Sequence, residues 1–132
     1  MILSSFWRRV LGMSDKALIA FALGVLTRND VVYGSNANGQ YWRIPDSSGT
    51  GGLQICIGAL NSSASADVTW TYPASFDGTP AHRNGGVGTG SAVVRSLTTS
   101  SVSATSLDLR VVDGTGARVA ATASMLAVGR FT

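Results

Sequence analysis

Between residues 40 and 131 the chain keeps returning to one pattern, in which apolar and polar residues alternate one by one. In residues 66–72 (ADVTWTY), Ala66, Val68, Trp70 and Tyr72 fall on one side and Asp67, Thr69 and Thr71 on the other. A strand with one buried face and one wet face has this pattern. Residues 106–113 put Leu107, Leu109 and Val111 opposite Asp108 and Arg110. Further on, Val119, Ala121, Ala123, Met125 and Ala127 oppose Thr122 and Ser124. In residues 53–59 (LQICIGA), Leu53, Ile55, Ile57 and Ala59 share one face, and the place of Cys56 in this stretch suggests a buried strand thiol. Residues 40–45 (QYWRIP) read as a short strand stopped by Pro45, and Pro73 stops another, because proline cannot donate to the ladder. Residues 46–52 read as a loop, the Gly-rich stretch 77–90 as a long loop holding a short edge strand, and residues 113–116 (DGTG) as a tight turn. About six strands joined by short turns predict an all-β, antiparallel sandwich.

Composition agrees. The 132 residues contain no Glu, one Lys (Lys16) and nine Arg, with a net charge of +3 and only 13% charged residues. Helix-favouring charged residues are scarce, and Ser, Thr, Val and Gly are plentiful, which favours strands. The arginines are scattered, so no nucleic-acid partner is expected. One cysteine, Cys56, cannot close an internal disulfide.

The first thirty residues differ. Residues 17–26 (ALIAFALGVL) are helix-forming and apolar nearly all round, with Ser14 as an N-cap and Asp15 in the first turn. Such a helix must be buried in something. Three readings compete: a docking or oligomerisation helix, a secretory signal, and a membrane span. Asp15 and Lys16 interrupt the signal pattern, and the apolar run is about half the ~20 residues that a span needs. The docking reading is preferred, and no membrane partner is expected. It rests on Phe6, Trp7, Leu11 and Leu18, and on Ile19, Phe21, Leu23 and Leu26, which are too apolar to be left wet. Residues 33–39 (YGSNANG) read as a turn-rich linker, dividing a helical docking segment, 1–33, from a β-sandwich, 34–132.

Enzymatic patterns are missing. No pair of Asp residues suggests a glycosidase dyad, and one Cys with one His (His82) excludes a metal site of Cys/His spacing. Residues 85–90 (GGVGTG) lack the Lys-Ser/Thr ending of a phosphate loop. The chain therefore reads as non-enzymatic and without cofactor or metal. Sugar recognition would need an aromatic platform and planar polar groups. Trp42, Arg43, Asp77, His82 and Arg83 supply these if loops 46–52 and 77–90 converge, although Trp42 could equally be core and His82 merely exposed.

Three segments in order, GSNANGQYWRIPD leading to GLQICIG, then VTWTYPASFDGTP, then the run ending in VGRF, resemble the C-terminal tip domain of bacteriophage tail fibres. The resemblance covers residues 34–132. It implies a fold like the H-type lectin sandwich, a homotrimer, a virion location and attachment to a host-surface glycan. In that reading Trp70, Tyr72 and Phe76 fill the sandwich or trimer core, and the N-terminal helix docks to other virion proteins. Strand residues Asp108 and Arg110 could pair across a trimer interface, with surface solvation as the more ordinary outcome. Two features depart from the family pattern. Residues 47–51 (SSGTG) lengthen a loop, and about thirty residues with a short apolar helix stand where a fibre shaft is usual. A stub on the tail tip or baseplate, a head decoration that stabilises the capsid, and a cellular lectin-like module are the alternatives.

Overall fold

The computed structural model describes residues 31–47, 50–88 and 94–132. The expected N-terminal helix and its docking residues, from Phe6 to Leu26, lie outside the described residues. The described residues hold no helix and eight strands, rather than six: β1 Val32–Asn36, β2 Gly39–Pro45, β3 Gly52–Asn61, β4 Val68–Thr71, β5 His82–Val87, β6 Arg95–Ser100, β7 Ser106–Asp113 and β8 Thr122–Phe131. All pairings are antiparallel, in a five-stranded sheet of order β1-β2-β3-β8-β5 and a three-stranded sheet of order β4-β7-β6.

The strand that alternation does not announce is β1. Residues 33–39 are not a linker but most of a hairpin, in which Asn36 pairs with Gly39 across a two-residue turn. The Asn36 side chain fixes the turn. Its Oδ1 accepts from the Asn38 amide at 2.9 Å, and its Nδ2 donates to the Pro73 carbonyl at 2.8 Å. At the other turn, the Asp113 carboxylate accepts from the Thr115 amide and hydroxyl and the Ala117 amide, which holds it below the usual carboxylate range.

The core lies between the sheets. Leu107, Leu109 and Val111 of β7 are fully buried and face Ala123, Met125 and Ala127 of β8. Each large aliphatic side chain buried this way contributes about 1.5–3 kcal/mol. Trp70, Tyr72 and Phe76 close the same core. Their rings meet edge to face, Trp70 to Tyr72 at 5.1 Å and Tyr72 to Phe76 at 5.0 Å, the geometry that ring quadrupoles favour. The Trp70 indole donates to the Asn38 carbonyl at 2.9 Å and lies against Gly58, where an added Cβ would stand 2.6 Å from the indole nitrogen.

Strand β3 has the opposite phase to the one its apolar residues predict. Gln54 and Cys56 are completely buried, while Leu53 and Ile57 remain 43% and 36% exposed. Burying an amide is tolerable only when its hydrogen bonds are made, and those of Gln54 are. Gly58, which shares its face, leaves room for Trp70.

The outer face of the three-stranded sheet is polar. Asp67 bridges Arg110 at 2.8 Å and Arg118 at 2.7 Å, and Thr69 donates to Asp108 at 2.6 Å. The hydrogen bond from Arg118, with the nearby charges, holds the Asp67 carboxyl below its ordinary range. Asp108 and Arg110, expected as residues that could pair across a trimer interface, thus have partners within the chain.

Tyr72 carries a test of the core. Its hydroxyl is buried without a hydrogen-bond partner among the described residues, and burial pushes its pKa up to about 12 against the opposing charge of Arg83. A buried unpaired hydroxyl costs about 1–3 kcal/mol. Tyr72→Phe is therefore expected to leave thermal stability unchanged or raise it by up to about 1 kcal/mol. A clear loss of stability would mean that the hydroxyl is satisfied.

Candidate functional site

The period of two in β2 sends Trp42 and Arg43 to opposite faces of the sheet. Arg43 points inward. Its Nε donates to Gln54 Oε1 at 2.7 Å and its Nη2 reaches the Ser75 carbonyl at 3.5 Å. The guanidinium lies 5.0 Å from the Phe131 ring centroid and 5.5 Å from that of Tyr41. Arg43 is therefore occupied in the fold.

Gln54 completes this arrangement. Its Nε2 donates to the Ala74 carbonyl at 2.8 Å and the Ser75 carbonyl at 3.1 Å. The Cys56 thiol, two residues along on the same face, is raised above its ordinary pKa chiefly by burial. Gln54 thus ties the loop after Pro73 to the five-stranded sheet. Sequence reading missed it because an amide between Leu53 and Ile55 looks like the wet side of a strand.

Loops 46–52 and 77–83 meet at Arg130. The Arg130 guanidinium bridges Asp46 at 2.9 Å, and its carbonyl accepts from the Asp77 amide at 2.8 Å. Loop 46–52 closes on itself through the Asp46 amide and the Gly51 carbonyl. Gly129 lets Phe76 and Pro80 lie directly on β8, since a Cβ there would stand about 3 Å from both. The visible signal for this junction was the Gly129-Arg130 pair, read only as a strand ending.

The five sugar-binding candidates share one end of the sandwich but not one surface. Asp77 and His82 are exposed. Arg83 donates to the Pro80 carbonyl at 2.7 Å and so shapes its own loop. Trp42 lies on the outer sheet face, half-buried, its ring 5.4 Å from that of Tyr33. Trp42 and His82 occupy the same row of that face, with β3 and β8 between them. Three strand spacings put them about 14 Å apart, too far to grip one sugar ring together. No group of three or more His, Cys, Asp or Glu side chains gathers among the described residues.

A second feature lies on the same outer face. An open concavity of about 760 Å³ has Ile57, Ala59 and Leu126 as an apolar floor, with Gln40, Asn84 and Ser124 around it.

The sandwich has the fold of the C-terminal region of pyocin tail fibres, which are phage-tail-like. The R2 pyocin fibre of P. aeruginosa superposes with a TM-score of 0.58 and 22% identity over 89% of this chain. An N-truncated R2-type fibre gives 0.60 and 21% over 89% of this chain and 44% of its own length. An N-truncated R1-type fibre gives 0.58 and 19% over 89% of this chain and 98% of its own length. The chain spans 30% of the first of these fibres. No family model matches the chain, and no curated protein does.

Proposed function

We propose that the chain is a structural component of a phage or phage-tail-like particle, a homotrimeric domain of the tail-fibre-tip type. Residues 1–33 dock it to other virion proteins, and the loop end joined at Arg130 meets a host-surface glycan. The observation that carries this reading is the fold likeness, which covers 89% of the chain and 98% of the R1-type fragment. Asp77 and His82 are the exposed polar groups offered to the ligand, and Trp42 with Tyr33 forms the nearest aromatic surface. Arg43 and Arg83 act as positioning residues.

The test is adsorption of the purified full chain to host cells and to immobilised surface glycans. The double variant Asp77→Ala/His82→Ala is expected to bind at least about tenfold more weakly, a loss of roughly 1.4 kcal/mol or more. Its oligomeric state should not change. Immunogold labelling with antibody against residues 34–132 supplies the location. Label at the tail tip together with adsorption supports the reading. Label spread over the head without adsorption overturns attachment in favour of a capsid decoration.

A further inference from the structure

The described residues contain two Asn-Gly pairs, Asn38-Gly39 and Asn84-Gly85, and the fold holds them differently. In such a pair the glycine nitrogen can reach the side-chain carbonyl before it, because no Cβ blocks the approach. At Asn38 the backbone is engaged on both sides of the side chain. Gly39 pairs with Asn36 across the turn, and the Asn38 carbonyl accepts from the Trp70 indole at 2.9 Å.

Asn84 is exposed and lies on β5, at the edge of the five-stranded sheet. The Gly88 amide donates to the Thr122 carbonyl of the neighbouring chain segment. By the alternation of an antiparallel ladder, Asn84 and Gly86 then turn their amides to β8 and Gly85 turns its amide to the open edge. There the Gly85 amide donates to Asn84 Oδ1 at 2.7 Å. The Asn84 side chain is thus folded back over the peptide nitrogen that follows it. Its carbonyl carbon is one C=O bond, about 1.2 Å, from the oxygen already in contact. A small turn about the side-chain bonds brings that carbon onto the nitrogen, the about 3–3.5 Å approach from which bonds form. Packing also fixes the glycine. A Cβ on Gly85 would stand 2.7 Å from Met125 Sδ and 3.0 Å from the Ser124 carbonyl oxygen.

We propose that Asn84-Gly85 is a self-modifying site, at which the chain converts Asn84 to an aspartyl or isoaspartyl residue without an enzyme. The Gly85 nitrogen gives its proton to hydroxide or a buffer base and bonds to Asn84 Cγ. The Cγ–Nδ2 bond breaks, the nitrogen takes up a proton from water, and ammonia leaves a five-membered succinimide behind. One water then opens the ring. Opening at Cγ restores the Gly85 peptide bond and leaves Asp. Opening at the Asn84 main-chain carbonyl leaves isoaspartate, with the chain running through Cβ and Cγ. The net change is ammonia lost and water gained, with no oxidation or reduction.

The product changes the sheet. None of its five strands carries an Asp or Glu, so the new carboxylate is its first. It stands in the row of Gln40, Ile57 and Leu126, at the rim of the concavity. The isoaspartyl form also adds an atom to the backbone. Strand β5 then cannot keep its register with β8 on both sides of residue 84, and His82 and Arg83 shift against Val128 and Ala127.

The test keeps one sample of the purified full chain folded, at neutral pH and physiological temperature, and a second in urea. Peptide mass spectrometry with electron-transfer fragmentation, which separates aspartate from isoaspartate, follows both Asn-Gly pairs. In the folded chain Asn84 is expected to convert at least about tenfold faster than Asn38, while in urea the two convert alike. Ion exchange should show a more acidic species growing at the same rate. Asn84→Gln, whose longer side chain closes a ring less readily, should not form it. An Asn84 that stays intact in the folded chain, or conversion of both pairs at one rate there, overturns the proposal.

Discussion

Gln54→Ala is expected to destabilise the protein by about 3–4 kcal/mol, read from urea or thermal unfolding, because several losses coincide at one buried site. The side chain is completely buried, so its removal leaves a cavity. The Ala74 and Ser75 carbonyls lose their shared donor, and Arg43 loses the acceptor of its 2.7 Å hydrogen bond. Against a total stability of about 5–15 kcal/mol, this is a large fraction. Gln54→Glu separates the causes. It keeps shape and the acceptor for Arg43 but turns the donor facing two carbonyls into an oxygen, so it should be nearly as damaging. A loss below 1 kcal/mol for Gln54→Ala would mean that the loop after Pro73 holds itself without this tie.

Gly39→Ala is the second large effect. Gly39 has φ +136°, a backbone conformation that residues with side chains rarely adopt. A Cβ there would be driven into the Ile57 carbonyl oxygen and to 3.0 Å from the Gly58 Cα. Neither atom is the flexible end of a side chain. Backbone strain of about 1–3 kcal/mol adds to the clash, so a loss of about 3 kcal/mol or more is expected. Gly86→Ala is the control. Its Cβ would meet nothing within 4 Å, and no positive φ is involved. That substitution should be neutral, or stabilising by up to about 1 kcal/mol. Equal effects at both positions would sink the steric argument for Gly39.

Much of the sandwich was legible in the sequence because β4 and β7 bury large apolar residues on one face and show polar ones on the other. The rule failed at β3, where both faces carry reasons to be covered. Its inner face holds Gln54, Cys56 and Gly58, chosen by hydrogen bonding and by the space Trp70 takes, while Leu53, Ile55 and Ile57 look outward. Alternation marks the apolar side of a strand. It does not say whether that side meets the chain's own core or another surface. Strand β1 (VYGSN) was invisible for the opposite reason: it lies at the edge of its sheet, mostly exposed, with no apolar period to read. The sugar-binding candidates share one end of the sandwich, but the residue joining their loops, Arg130, acts through its carbonyl as much as its side chain. Backbone roles of that kind leave no mark on residue type.

The register of the first and last strands has one more consequence. Val32 pairs with Arg43 and Phe131 with Gly52, so the chain arrives and leaves at the end of the sandwich that carries Asp46, Asp77 and His82. The turns around Ala37 and Gly114 form the opposite end. A peptide inserted at either of those turns would therefore be carried a full strand length from Val32 and Phe131, clear of the Arg130 loops.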